Sequence, residues 1–391
     1  MENDKKGIQQ SALVRILADG LNGKPKLSNM DCMQFDNATV LTGNERLLAE
    51  TSQIIYGYVL PVVCCSGILG NLMNFAILTR RKLTKSFKRL EKAANYCLIA
   101  LAISDLCFCL FAFPNSFLPS NDLFEEKGFL FYYRMYCSGI LNIFILTSTW
   151  LTVTMSVERY LAICHPFKQT FYLTIKKTKT VIVCVYIFCV IFNIPVFWRY
   201  DVKMVSCNNG TELFYQPVQV MLGHSEMFEN IYRILWAIIG NFAPLILLIG
   251  FNICLCRKIH KSFKFRQKFR TEEQQGQSDA GQTLTITLVV IVVMFLILVA
   301  PSEVVMHVGQ IMHRADDATY KTIEIVLNFM QSINFSVNFV LYCIISPYFR
   351  RTLKYILFCK WYFTRRKKFY LEVSMKKVTF SHYSQRSSSC H

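Results

Sequence analysis

Seven stretches of this chain stay apolar for 19 residues or longer, and no other feature restricts its fold as much. They run near 53–79, 94–114, 136–160, 180–198, 231–256, 282–309 and 321–345. About 20 residues of helix cross the hydrocarbon core of a bilayer. Lipid offers backbone N–H and C=O groups no partner, so runs of this length are helices rather than open strands. Charges inside them are few, chiefly Asp105, Glu303 and Glu324, with Glu158 and Arg159 closing the third run. A soluble protein with several buried helices has no reason to carry seven such runs.

Composition agrees once position is considered. Only 17% of residues are charged, yet the net charge is +18; soluble domains carry about a quarter. A basic chain binds nucleic acid when its cations share one face, but here they fall in alternate loops. The loop after the first run holds Arg80, Arg81, Lys82, Lys85, Lys88, Arg89 and Lys92, and that after the third holds Lys168, Lys176, Lys177 and Lys179. The loop after the fifth reads RKIHKSFKFRQKFR from Arg257, and Arg350, Arg351, Lys354 and Arg365 follow the seventh. The intervening loops carry acids such as Asp122, Glu125 and Glu126. The positive-inside rule then places the N-terminus outside and the C-terminus in the cytoplasm, with no nucleic acid among the partners.

The first fifty residues lack the basic start and apolar core of a cleaved signal peptide, so the first run is expected to act as its own insertion signal. Sixteen cysteines show no zinc-type spacing, and most sit inside apolar runs as small hydrophobes. No metal site is expected from them. The sequons at Asn37 and Asn209 fall on the outer side, where glycosylation takes place.

The expected architecture is therefore an all-α membrane protein, a seven-transmembrane helix bundle over 53–345. An extracellular, glycosylated, mostly disordered segment (1–52) precedes it; a short amphipathic membrane-surface helix (346–360) and a cytoplasmic tail (361–391) follow. Polar groups inside a bilayer are costly and usually functional. Asp105 lies midway along the second run, and Asn71, Ser148, Asn334 and Asn338 are its candidate partners. They suit either a hydrogen-bonded network between helices or an oxygen-lined cavity for a sodium ion, the one cofactor considered. Asp105, Glu303 and Glu324 lie on different runs, so no catalytic cluster of an enzyme forms. A transporter would show internal repeats or paired broken helices, and Pro61, Pro195, Pro244 and Pro301 do not pair into halves.

Motifs then accumulate, nearly one per run. The end of the third reads SVERYLAICHP from Ser156; Asn71 follows a glycine in the first; Asp105 closes LAISD in the second. Pro244 stands in the fifth, Phe295 and Pro301 in the sixth, Asn338 and Tyr342 in the seventh. In this order the chain resembles the rhodopsin-like G-protein-coupled receptors over about residues 55–355. The resemblance implies an activation and G-protein-coupling switch of Glu158, Arg159, Tyr160, Phe295, Pro301, Asn338 and Tyr342, with the Glu158–Arg159 pair holding the inactive state. It also implies an outer disulfide between Cys137 and Cys207. Cys137 stands 22 residues before Arg159, about one helical turn short of the family's spacing, and Cys32 is an alternative partner. After the seventh run, the helix from Ser346 suits the inner membrane surface, and Cys359 is a palmitoylation candidate. The serine-rich tail from Ser381 is expected to recruit arrestin when phosphorylated.

The ligand class narrows by exclusion within the resemblance. Amine receptors place an aspartate in the outer half of the third span, where Ile140, Leu141, Asn142 and Ile143 stand here. Opsins need a lysine in the seventh span, and none lies between Thr322 and Ile345. Pro114, the stretch NIPVFW from Asn193, and Phe339 where most relatives have proline are similar to FMRFamide-type and related neuropeptide receptors of the plasma membrane. A pocket of Asn142, Glu303, His307, Glu324 and Gln331 is expected, with Glu303 meeting either a cationic peptide group or an internal partner such as His307 or Gln331. Val299, Asn252 and Tyr186 stand where the family usually has tryptophan, tyrosine and tryptophan.

Overall fold

In the computed structural model a helix covers most of each apolar run: α1 (Gly43–Leu78), α2 (Lys92–Phe117), α3 (Phe129–Cys164), α4 (Ile175–Trp198), α5 (Glu226–Lys258), α6 (Val289–Met306) and α7 (Ala318–Ile345). The structure describes residues 43–80, 89–118, 122–165, 174–207, 212–220, 225–268, 279–312, 317–346 and 349–356. Most helices outrun their apolar windows. The first begins at Gly43 rather than 53, because GNERLLAETS is polar but helix-competent and carries an Arg46–Glu50 pair one turn apart at 2.8 Å.

Prolines set the local irregularities. Pro61 and Pro244 each stand second in an α-helical segment, and a π-helical stretch precedes each, Gln53–Val59 and Trp236–Phe242. A proline ring clashes with the carbonyl four residues back, and the wider π turn makes room for it. Pro114 and Pro195 begin 3-10 turns that end α2 and α4. The helix carrying α6 is interrupted between Asp279–Leu298 and Ala300–Ile311, just before Pro301.

Residues Met1–Leu341 and Tyr342–His391 form two compact units. In the first, α3 is central, packing against α2, α4, α5 and α6. Leu60, Cys64, Phe108, Cys109 and Phe335 join α1, α2 and α7, and the Phe108 and Phe335 rings stack at 3.8 Å. Val153, Leu248, Val292, Phe295 and Val299 join α3, α5 and α6. Gly67 and Gly70 let α1 approach closely: a Cβ on Gly67 would lie 2.5 Å from the Cys109 Sγ, and one on Gly70 2.9 Å from the Phe339 Cβ. Ile187, Ile191, Ile246 and Ile253 of α4 and α5 are exposed, as helices facing lipid require.

Between α4 and α5 the chain forms an antiparallel hairpin, β1 (Tyr200–Cys207) and β2 (Glu212–Gln219), in which Met204 pairs with Tyr215. It is an addition to the all-helical expectation. In the second unit, residues 349–356 are helical. The Tyr342 and Phe349 rings meet at 5.4 Å, and Arg350 donates to the Cys343 and Ile344 carbonyls that end α7. This agrees with an expected helix after the seventh span. Its end, with Cys359, the serine-rich tail, Asn37, Asn209 and Cys32, lies outside the described residues.

Candidate functional site

A cavity of about 780 Å³ opens among the helices on the side of the β hairpin. Its walls come from α1 (Tyr56), α2 (Phe108), α3 (Ser138, Asn142), α5 (Tyr232, Trp236), α6 (Ser302, Glu303) and α7 (Asn328, Gln331), and β2 contributes Gln216 to Gln219. Glu303 is buried and its Oε1 accepts from the Gln331 Nε2 at 2.8 Å. Gln331 is therefore an internal partner; the His307 side chain lies outside the described residues. Ser302 donates to the Asn328 Oδ1 at 2.7 Å, so two adjacent residues of α6 tie that helix to α7.

Asn142, Glu303 and Gln331 line the cavity as expected, but Glu324 does not. It stands one turn along α7 from Asn328 and is not among the residues that line the cavity. Sequence reasoning missed the arginines here. Arg134, Arg199 and Arg233 all reach the cavity wall. Each is paired: Arg134 with Asp122, and both Arg199 (3.0 Å) and Arg233 (3.9 Å) with the Glu229 Oε1. Arginines at the ends of apolar runs read as boundary charges, and only folding shows that they turn inward.

Deeper, Asp105 is fully buried and both carboxylate oxygens are engaged. Ser148 donates to Oδ1 at 3.0 Å and Asn338 to Oδ2 at 2.6 Å. This links α2, α3 and α7 at one point. Asn71 acts beside the group rather than on it, donating to the Phe335 carbonyl of α7 at 2.8 Å and to its own helix at Gly67. Asn334 is buried, and the Asp105 oxygens are taken by Ser148 and Asn338 instead. Asp105, Ser148 and Asn338 are thus hydrogen-bonded to one another across three helices.

Near the C-terminal end of α3, Glu158 and Arg159 are both buried. The Glu158 carboxylate accepts from the Thr178 hydroxyl of α4 at 2.8 Å and the Cys97 thiol of α2 at 3.6 Å. The neighbouring Arg159 guanidinium adds favourable charge. Tyr160 packs on Phe251 of α5 at 5.2 Å and its hydroxyl meets His165 at 3.2 Å. Phe295 lies in the α3–α5–α6 cluster, next to the helix break at Pro301. Tyr342 belongs to the second unit.

The seven-transmembrane receptor (rhodopsin family) model matches residues 74–342, which include all of these groups except Tyr56, Gly67 and Asn71 of α1. The chain belongs to this family. It is a multi-pass membrane protein of the signalling-receptor class and not an enzyme. The receptor is 26% identical over 324 residues to the FMRFamide receptor of Drosophila melanogaster, covering 80% of this chain and 56% of that one. The chain therefore spans little more than half of that relative's length. It is 25% identical over 198 residues to the thyrotropin-releasing hormone receptor of Gallus gallus (48% of each), and 27% over 165 residues to the neuromedin-U receptor 2 of Mus musculus (41% and 38%).

The receptor's departures from family pattern find local compensation. Tyr186 donates its hydroxyl to the Ala100 carbonyl of α2 at 2.8 Å. Asn252 donates to its own helix at Leu248 and to Ser156 of α3 at 3.3 Å. Phe339 keeps the N–H that proline lacks, and α7 runs unbroken, with the phenyl group lodged against Gly70. The expected disulfide is the exception. The Cys137 thiol is free and buried, donating to the Arg134 carbonyl at 3.8 Å. Cys137 shares a helix face with Tyr133, one turn before it, whose hydroxyl bonds the Phe111 carbonyl of α2. That face turns to α2. The Cys207 side chain lies outside the described residues.

Proposed function

We propose that this receptor sits in the plasma membrane with its N-terminus outside, binds a neuropeptide of the FMRFamide kind, and activates heterotrimeric G proteins. The carrying observation is the cavity of about 780 Å³ between the helices and the hairpin, large enough for several residues of a peptide and bearing a buried carboxylate at Glu303. Its opening lies on the side of the loop between α4 and α5, which the distribution of Lys and Arg places outside. A buried carboxylate favours a cationic or hydrogen-bonding partner, and the arginine of an amidated peptide supplies one by exchange with Gln331. The likeness to receptors for FMRFamide and thyrotropin-releasing hormone supports the same class.

Arg159 is the group that meets the G protein once the inner part of α6 moves out. Asp105 with Ser148 supplies the oxygens that would hold a sodium ion, which would favour one packing of α2, α3 and α7 over another. The phosphorylated tail recruits arrestin, and Cys359 carries a palmitoyl chain in the same proposal. The experiment is a screen of the expressed receptor against amidated neuropeptides, read by calcium, cAMP and agonist-stimulated nucleotide exchange. Exchange in response to an amidated peptide is expected. Silence across peptides with a response to a lipid or an amine would overturn the ligand class and leave the family untouched.

A further inference from the structure

The hairpin needs an anchor. It is an isolated two-stranded ribbon, which has little stability of its own, and its second strand forms part of the cavity wall. With Cys137 turned to α2, the anchoring has to come from elsewhere. We propose that the ion pair between Asp122 and Arg134, reinforced by an aromatic cluster, does the work that a Cys137–Cys207 bridge would do, so that this receptor's ligand-facing hairpin is held by charge and packing and is indifferent to reduction.

Arg134 stands on α3 one turn outward of Cys137, on the face that carries Ser138 and Asn142 into the cavity. Its Nε and Nη2 donate to the two oxygens of Asp122, each at 2.8 Å. This two-point geometry is the strongest form of the contact, and both side chains are at most a third exposed, 29% and 33%. Asp122 sits at φ 51°, a left-handed conformation that aspartate tolerates better than most residues. Two residues later, Phe124 exchanges both backbone hydrogen bonds with Tyr215 of β2, at 3.0 and 2.8 Å. The segment between α2 and α3 is thus fastened to the hairpin by backbone and to α3 by the ion pair.

The remaining contacts close the unit. The Arg134 guanidinium lies 5.8 Å from the Tyr200 ring at the start of β1, and the Lys127 ammonium 4.8 Å from that of Tyr215. Phe124, Phe131 and Met135 are buried beneath Tyr200, Val202 and Tyr215. Asp122, Arg134 and Tyr200 also line the cavity, so the clamp and the ligand share a wall.

The test uses the full-length receptor purified in detergent, without ligand. Alkylation before reduction, followed by peptide mass mapping, is expected to label Cys137 as a free thiol; finding it bridged to Cys207 or Cys32 would overturn the proposal. Hydrogen exchange over 200–219 is expected to be unchanged by a phosphine reductant. It should become about tenfold faster in Asp122→Asn or Arg134→Gln, the order expected when one member of a partly buried charge pair loses its partner. The double variant should be no worse than the worse single one, and the exchange Asp122→Arg with Arg134→Asp should recover part of the protection. Additive losses in the double variant, or loss of protection on reduction alone, would refute the ion-pair clamp. None of these readouts needs a ligand, so they are independent of the peptide reading.

Discussion

The middle of the helical unit and its hairpin end are held together by different means. Around Asp105, single polar side chains on α2, α3 and α7 meet at 2.6 to 3.0 Å with no loop involved. Around the cavity, contacts of the segments that connect the helices carry the structure: Asp122 to Arg134, Arg199 to Glu229, and Phe124 to Tyr215. The deep network is specified residue by residue and tolerates few changes. The outer assembly is spread over ion pairs and rings, and it can be rebuilt without disturbing the helices. A receptor family with one fold and many ligands needs this division.

The sharpest way to break the comparison is at the inner end of α3. Arg159→Ala should retain surface expression and lose agonist-driven nucleotide exchange; full exchange by that variant would remove Arg159 from the coupling role. At the outer end, Glu303→Gln should lower the potency of a basic peptide agonist by about tenfold or more, about 1.4 kcal/mol. Dose–response curves in the same cells as the unaltered receptor measure it, and unchanged potency would move the cationic contact elsewhere.

Smaller effects separate packing from polarity. Gly70→Ala puts a methyl group 2.9 Å from the Phe339 Cβ, and overpacking of this kind costs about 1–3 kcal/mol. A lower melting temperature for the purified receptor is the readout, and Gly70→Ala combined with Phe339→Leu should recover part of it. Tyr186→Phe removes the hydroxyl bond to Ala100 at the edge of α2 and should cost about 1 kcal/mol. A shift as large as that of Gly70→Ala would mean the hydroxyl serves more than this one carbonyl.

The seven helices were legible because apolar length and the side bias of Lys and Arg are properties of single segments. The ends were less so. The third span begins at Phe129 and not near 136, since Arg134 looks like a boundary to any hydropathy reading while in the fold its charge is paired. Asp105, Ser148 and Asn338 were legible because a polar residue in an apolar run must find another. Asn71 and Asn334 were assigned to the same point only by that logic, and backbone carbonyls proved an alternative partner for Asn71. The hairpin, the Glu229 pairings and the free Cys137 were not legible. Each depends on which way a helix face turns, and a loop's register against a helix is set by no local periodicity.

The break in the sixth helix has a mechanical consequence. Ser302 and Glu303, the two residues after Pro301, are fastened to Asn328 and Gln331 of α7, whereas Phe295 and Val292 before it pack in the apolar cluster with α3 and α5. One leaf of the hinge is therefore bolted and the other is merely greased. A swing of the leaf before Pro301 would slide over hydrocarbon at small cost, while a ligand that took Glu303 from Gln331, as proposed above, would loosen a bolt at the pivot.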